Sequence, residues 1–156
     1  MKRIGALLTL LFCTNSFANF NGCHAEFNSG VKHFGEGKNK FDEAINYYNQ
    51  AVEEANKPNP SLQVVCEKLQ LSSTSFDISS DEYERGASFF DNAQRPCSGE
   101  NRNTASDNEG VCLENHRAAA GNYHQVQTSF EKICYQNNTA MLDSLILLKK
   151  QILPSL

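Results

Sequence analysis

Three stretches of the chain repeat one helical pattern, and this repeat constrains the fold more than any other feature of the sequence. They begin at Phe41, Tyr83 and Tyr123, which are 42 and then 40 residues apart. In each stretch the first aromatic residue is followed by a small or branched residue, a second aromatic and an apolar residue, at offsets of three, four and three. These offsets place all four residues on one stripe of an α-helix. A period of about 40 residues is typical of stacked helical hairpins.

Each stretch is preceded by a second segment with helical spacing, so the sequence predicts three antiparallel helix pairs. Glycine favours helix ends, and we expect Gly35, Gly37 and Gly121 to end the first helices of two pairs. Ser61, after Pro60, is the expected N-cap of another helix. Two segments are expected outside helices: a linker at 72–82, and a polar segment at 94–110 that is either a mobile surface loop or a binding loop. The predicted repeat-like units are 23–57, 61–97 and 110–136.

The pattern resembles the tetratricopeptide repeat. The third unit matches best, with residues in the family's register at Leu113, Gly121, Tyr123, Phe130 and Ile133. The second unit departs most, since only its second helix matches. The resemblance implies an all-α fold of three stacked antiparallel helix hairpins plus a C-terminal capping helix at 138–153, stabilised by disulfides. Another disulfide-tied helical bundle is the alternative.

The N-terminal segment is typical of a secretory signal peptide. Lys2 and Arg3 precede an apolar run that is too short to span a bilayer, and small residues reach Ala18. We expect cleavage near Ala18 and a single helical domain over 19–156, in a periplasmic or extracellular space. Removing both basic residues leaves 12 basic against 18 acidic residues, a net charge of −6. An acidic chain is not expected to bind nucleic acid, because that requires basic residues. No later run is long and apolar enough to predict a membrane span.

Five cysteines follow the predicted signal peptide, which in a secreted chain indicates two disulfides and one remaining thiol. If the hairpin assignment holds, Cys66 lies beside Cys97 and Cys112 beside Cys134, each pair at the open end of one hairpin. We therefore predict these two bonds, worth about 3 kcal/mol each. Cys23 is then an unpaired thiol, a bridge to a second copy or a lipidation site. The rival pairing joins Cys23 to Cys66 and leaves Cys97 free.

No cofactor or metal site is predicted from the motifs. The cysteines lack zinc-binding spacing, and phosphate-loop, dinucleotide and HExxH signatures are absent from the sequence. Cys112 and His116 lie four residues apart and offer one enzyme alternative, a Cys/His dyad. That alternative requires a reduced thiol, whereas the disulfide assignment makes Cys112 oxidised. The chain is therefore expected not to be an enzyme.

A protein-binding role is the functional prediction. In stacked hairpins, partners commonly dock on a concave surface formed by the first helices. The resemblance implies candidate partner-binding positions at Phe27, Asn28, Val31, Asn115 and Ala119. A scaffold or assembly factor in the cell envelope fits this pattern, and an immunity-type antagonist of an envelope toxin or enzyme is the alternative.

Overall fold

The described part of the protein, residues 21–135 of a computed structural model, is all-α. Its three helices cover about nine-tenths of these residues. They are α1 (Asn21–Ala55), α2 (Leu62–Gln94) and α3 (Gly99–Cys134). The helix packing is consistent with a hairpin bundle, and two disulfides stabilise it. The predicted signal peptide at 1–18 and the predicted capping helix at 138–153 lie outside the described residues.

Each predicted hairpin is one continuous helix, so the predicted helix breaks are wrong. Gly35 and Gly37 lie inside α1, and Gly121 lies inside α3. The predicted linker at 72–82 is part of α2, and most of the predicted loop at 94–110 is the first part of α3. Among the described residues only Gly99 has a left-handed φ, +57°, and it stands at the start of α3. Gly121 therefore does not have the backbone conformation of a helix-ending glycine.

Burial explains why the helices continue through these polar and glycine-rich segments. In each helix, buried positions at alternating intervals of three and four residues run along nearly the whole length, and α2 also buries Ser73, Ser75, Ser80 and Ala87 beside them. The alternating intervals are the heptad spacing of a helix that buries one narrow stripe. In α1 the stripe alternates small with aromatic residues, and only Phe34 is half-buried. Its members are Cys23, Phe27, Gly30, Phe34, Gly37, Phe41, Ala44, Tyr48, Ala51 and Ala55.

The same spacing runs through the other two helices. In α2 the stripe is Val65, Leu69, Ser72, Phe76, Ser79, Tyr83, Gly86, Phe90 and Ala93. In α3 it is Ala105, Asn108, Cys112, Asn115, Ala119, Asn122, Val126, Ser129 and Ile133. The repeated stretches that begin at Phe41 and Tyr83 were predicted to lie in the core, and their burial confirms this. In the third repeated stretch, which begins at Tyr123, only Val126 and Ile133 are fully buried. Ser, Asn and Gly at core positions conceal these stripes from a search for apolar residues alone.

The chain forms two compact units, the first of which contains residues 21–38 and 80–118 of the described part. Aromatic rings of α1 and α2 form its layers: Phe27 lies edge-on to Phe90 at 5.1 Å between ring centroids, and Phe34 lies 5.4 Å from Tyr83. Glycine makes room for these rings. A Cβ on Gly30 would lie 2.9 Å from the Phe90 ring, and one on Gly37 would lie 3.0 Å from the Tyr83 ring. The glycines therefore have a packing role inside the helix.

The second unit contains residues 39–79 and 119–135 of the described part. Phe41 and Phe76 meet edge-on at 5.1 Å between ring centroids. Beside them the buried Ser72 hydroxyl donates a 2.8 Å hydrogen bond to the carbonyl oxygen of Ala44, which satisfies a polar group in the core. The predicted N-cap is confirmed, because the Val64 amide donates to the Ser61 hydroxyl at 3.4 Å.

One disulfide joins α1 to the connection between α2 and α3, and the other joins α2 to the end of α3, so the predicted pairings Cys66–Cys97 and Cys112–Cys134 are wrong. Cys23 is bonded to Cys97 and Cys66 to Cys134, with Cα separations of 5.0 and 5.9 Å. The prediction failed because it assumed a turn between each pair. Two residues 22 positions apart in one helix, such as Cys112 and Cys134, are separated by about 33 Å along its axis, far beyond disulfide reach. Among the cysteines of residues 21–135, Cys112 is the free one, and Cys23 is not available for a bridge to a second copy.

Candidate functional site

The five predicted partner-binding residues divide into a buried and an exposed group. Phe27, Asn115 and Ala119 are core residues, with exposures of 3%, 8% and 0%, so a partner cannot contact them in this fold. That part of the prediction fails because it assigned a concave surface to positions that lie on the buried stripes of α1 and α3. Asn28 and Val31 are exposed on α1, and their role in binding stays a prediction.

A row of apolar residues lies outside the core on α2, within the second unit. Leu71 and Ile78 are 36% and 39% exposed and stand seven residues apart. Val64, seven residues before Leu71, is half-buried. We call Val64, Leu71 and Ile78 the outer stripe. Exposed Glu67 and Asp77 lie on the same helix beside it, and Lys68, whose Nζ is 3.9 Å from Oε1 of Glu67, lies between Val64 and Leu71.

A compact polar cluster lies in the first unit and joins α1 to α2. Nδ1 of His33 is 2.6 Å from Oε2 of Glu82 and 3.6 Å from Oε2 of Glu36. One donor atom from each of the three residues lies within 4.8 Å of the others. We call these residues the His33 cluster. His33 and Glu82 are mostly buried, with side-chain exposures of 19% and 14%, while 47% of the Glu36 side chain is exposed.

Two neighbours fix the orientation of the His33 cluster. The imidazole of His33 stacks on the Phe89 ring at 5.1 Å between centroids, with an interplanar angle of 5°. The Arg85 guanidinium donates a 3.0 Å hydrogen bond to Oε1 of Glu82. Burial alone would raise the pKa of the Glu82 carboxyl, but the hydrogen bond and charge of His33 and the charge of Arg85 lower it overall. Glu82 is therefore a carboxylate at neutral pH.

Cys112 is a reduced thiol in a setting opposite to that of a nucleophile. It is fully buried in the first unit, and burial, helped by the nearby charge of Glu109, raises its pKa to about 12. Reactive cysteines instead have lowered pKa values and partial exposure. His116 makes its contacts with Ser80, where Nδ1 lies 3.0 Å from the hydroxyl and 3.1 Å from the carbonyl oxygen. The proposed Cys112/His116 dyad gains no support from this geometry.

Both the outer stripe and the His33 cluster were missed by the sequence reasoning. His33 and Glu36 are three residues apart and share a face only if α1 continues through Gly35, where a helix end was expected. Leu71 and Ile78 share a face only if α2 continues through the serine-rich segment 72–82. The heptad spacing of the buried residues was the signal that could have revealed both.

Comparisons of the chain with protein-family models, with curated proteins and with solved structures gave no match. The structure nevertheless bears on the compartment, since two disulfides indicate an oxidising, non-cytoplasmic location. Within residues 21–135, none of the helices combines the length and the apolar character that crossing a membrane requires.

Proposed function

We propose that this protein is a secreted, periplasmic or extracellular, non-catalytic module that binds another protein through the outer stripe of α2. The observation that carries the proposal is the exposure of Leu71 and Ile78 one heptad apart. The core of the second unit is already filled by Phe41, Phe76 and their neighbours. The outer stripe therefore lies outside the core, where a binding partner can cover it.

The spacing of the outer stripe favours one kind of partner, an amphipathic helix. Apolar anchors at positions i and i+7 are the pattern by which helices recognise one another. Asp77 beside the stripe would attract a lysine or arginine side chain on the partner, whereas Glu67 already faces Lys68. The acidic net charge, −4 for the full sequence and −6 without the predicted signal peptide, also favours a basic partner.

The expected contribution of the two apolar residues is modest but measurable. Complete burial of a leucine or isoleucine contributes about 1.5–3 kcal/mol. Because about two-thirds of each side chain is already covered, covering the remainder contributes roughly 0.5–1 kcal/mol per residue. Losing both contributions weakens binding about tenfold.

The test is affinity purification from the envelope or secreted fraction with the wild-type protein, followed by binding measurements on each recovered protein. A Leu71→Asp/Ile78→Asp variant should lose at least tenfold in affinity for a true partner. Thr128→Asp, which adds a charge at an exposed position of α3, is the matched control and should bind normally. A partner that binds the double variant and the wild type equally, or no reproducible partner at all, would refute the proposal.

A further inference from the structure

We infer that the His33 cluster is a binding site for one divalent transition-metal ion, for which Zn²⁺ is the representative. The site offers one imidazole nitrogen and two carboxylate groups, with a donor atom from each residue within 4.8 Å of the others. Imidazole and carboxylate groups are ordinary zinc ligands, and catalytic zinc sites often use three protein ligands with solvent at the remaining position. The inference is independent of the proposed protein-binding role, because the cluster and the outer stripe share no residue.

The donor distances fit an ion with little movement. Zinc bonds of about 2.0–2.2 Å place neighbouring ligand atoms of a tetrahedron about 3.4 Å apart. The distance from His33 Nδ1 to Glu36 Oε2 is 3.6 Å, close to this value. The distance from His33 Nδ1 to Glu82 Oε2 is 2.6 Å, so this pair must open by less than 1 Å. The ion then replaces the hydrogen bond between these two atoms.

Neighbouring side chains orient two of the three ligands, His33 and Glu82, in the absence of an ion. Stacking on Phe89 fixes the plane of the His33 ring. Arg85 binds Oε1 of Glu82 and leaves Oε2 directed to His33. A carboxylate ligand that is itself hydrogen-bonded is the usual arrangement around protein metal sites, because it orients the ligand. Here Arg85 is a positioning residue, and its own side chain is 61% exposed, so water screens its positive charge.

Charge balance and access also favour a divalent cation. Glu36 and Glu82 together carry two negative charges, which one divalent ion neutralises when His33 is a neutral ligand. Lys32, whose Nζ is 3.8 Å from Oε1 of Glu36, has a side chain that is 71% exposed, so water screens its charge as it does that of Arg85. Glu36 has a side-chain exposure of 47%, so the ion can enter from solvent and retain water as a ligand. The two mostly buried residues, His33 and Glu82, lie on different helices. An ion bound here would therefore cross-link α1 to α2 within the first unit.

The experiment is a zinc titration of the untagged, disulfide-intact chain, using a competing chromophoric chelator to obtain stoichiometry and affinity. The wild type should bind one Zn²⁺ per chain. His33→Gln, Glu36→Gln and Glu82→Gln should each weaken binding by at least about tenfold, the loss that removal of even an outer partner causes. His124→Gln replaces an exposed histidine of α3 and should leave the affinity unchanged.

A second readout separates metal binding from a purely structural ion pair. Co²⁺ bound to the wild type should give visible d–d absorption that His33→Gln abolishes and His124→Gln retains. Because Glu82→Gln can destabilise the fold, the more exposed Glu36 supplies the decisive variant, with circular dichroism confirming its helicity. The inference is overturned by the absence of saturable binding, or by zinc affinity equal in wild type, His33→Gln and Glu36→Gln.

Discussion

A pair of glycine substitutions in one helix tests whether the aromatic layers of the first unit are packed as described. Gly30 and Gly35 both lie within α1 and differ in what an added methyl group meets. A Cβ at Gly30 would lie 2.9, 2.9 and 3.0 Å from three ring atoms of Phe90, which has no exposed surface. The Phe90 ring cannot retreat freely, because Phe27 packs against it. A Cβ at Gly35 meets nothing within 4 Å.

The two alanine variants should therefore differ in their free energy of unfolding. Replacing glycine by alanine inside a helix contributes about 1 kcal/mol through helix propensity and the reduced freedom of the unfolded chain. Gly35→Ala should gain this amount. Gly30→Ala gains the same term but also overpacks the core, which costs about 1–3 kcal/mol. The variants should thus differ by about 1–3 kcal/mol in the free energy of unfolding, with Gly30→Ala neutral or destabilised.

Urea unfolding followed by circular dichroism measures this difference, with disulfides intact in all proteins. A Phe90→Leu background provides the control, because a smaller, flexible side chain should relieve the overpacking. In that background Gly30→Ala should be less harmful than in the wild type, which gives a measurable coupling between the two positions. If Gly30→Ala stabilises the wild type as much as Gly35→Ala does, the assigned packing of Phe90 against α1 is wrong.

Three further predictions concern helix continuity, the free thiol and the disulfides. Gly121→Ala should raise the free energy of unfolding by about 1 kcal/mol in a calorimetric scan, since open space surrounds its Cβ; destabilisation would indicate a helix end there. Cys112 should not react with Ellman's reagent at pH 8 until the protein unfolds. The pKa of the Cys112 thiol is 9.0 without burial and about 12 in the folded protein. As the pH rises above about 9, the thiol of the unfolded chain therefore loses its proton first, and the free energy of unfolding should fall. A Cys66→Ser/Cys134→Ser variant should lose about 4 kcal/mol of stability, because the bond spans 68 residues; a loss under about 1 kcal/mol in urea unfolding would contradict this.

The sequence predicted the fold class and much of the core, but not the number of helices. Aromatic residues at helical spacing, such as Phe41 and Tyr48, are strong signals because few other arrangements bury them. Gly37 carried the opposite local signal, since glycine usually weakens or ends a helix. In the structure the Tyr83 ring occupies the space that a Cβ would fill. A tertiary contact of this kind overrides the local preference, and it cannot be read from one helix alone.

The candidate sites were less predictable than the fold, because both depend on which residues the helices bring together. Glu82 is 49 residues from His33 in the sequence and 2.6 Å away in space. Nothing in either local sequence indicates this contact. The disulfides show the same limit, since the number of bonds followed from the cysteine count, but the pairing depended on helix lengths that the glycines obscured.

The arrangement of the two disulfides has a consequence for a protein exposed to proteases. The connections at 56–61 and 95–98 are the segments between helices. If both were cut, with the second cut before Cys97, the Cys23–Cys97 bond would still tie α1 to the α3 fragment, and the Cys66–Cys134 bond would tie α2 to it. A cut after Cys97 would instead leave α1 tied to α2, and α2 would still be tied to α3. In each connection the basic residue, Lys57 or Arg95, is followed by proline. The three helices would thus remain one covalent molecule after nicking at either connection or at both.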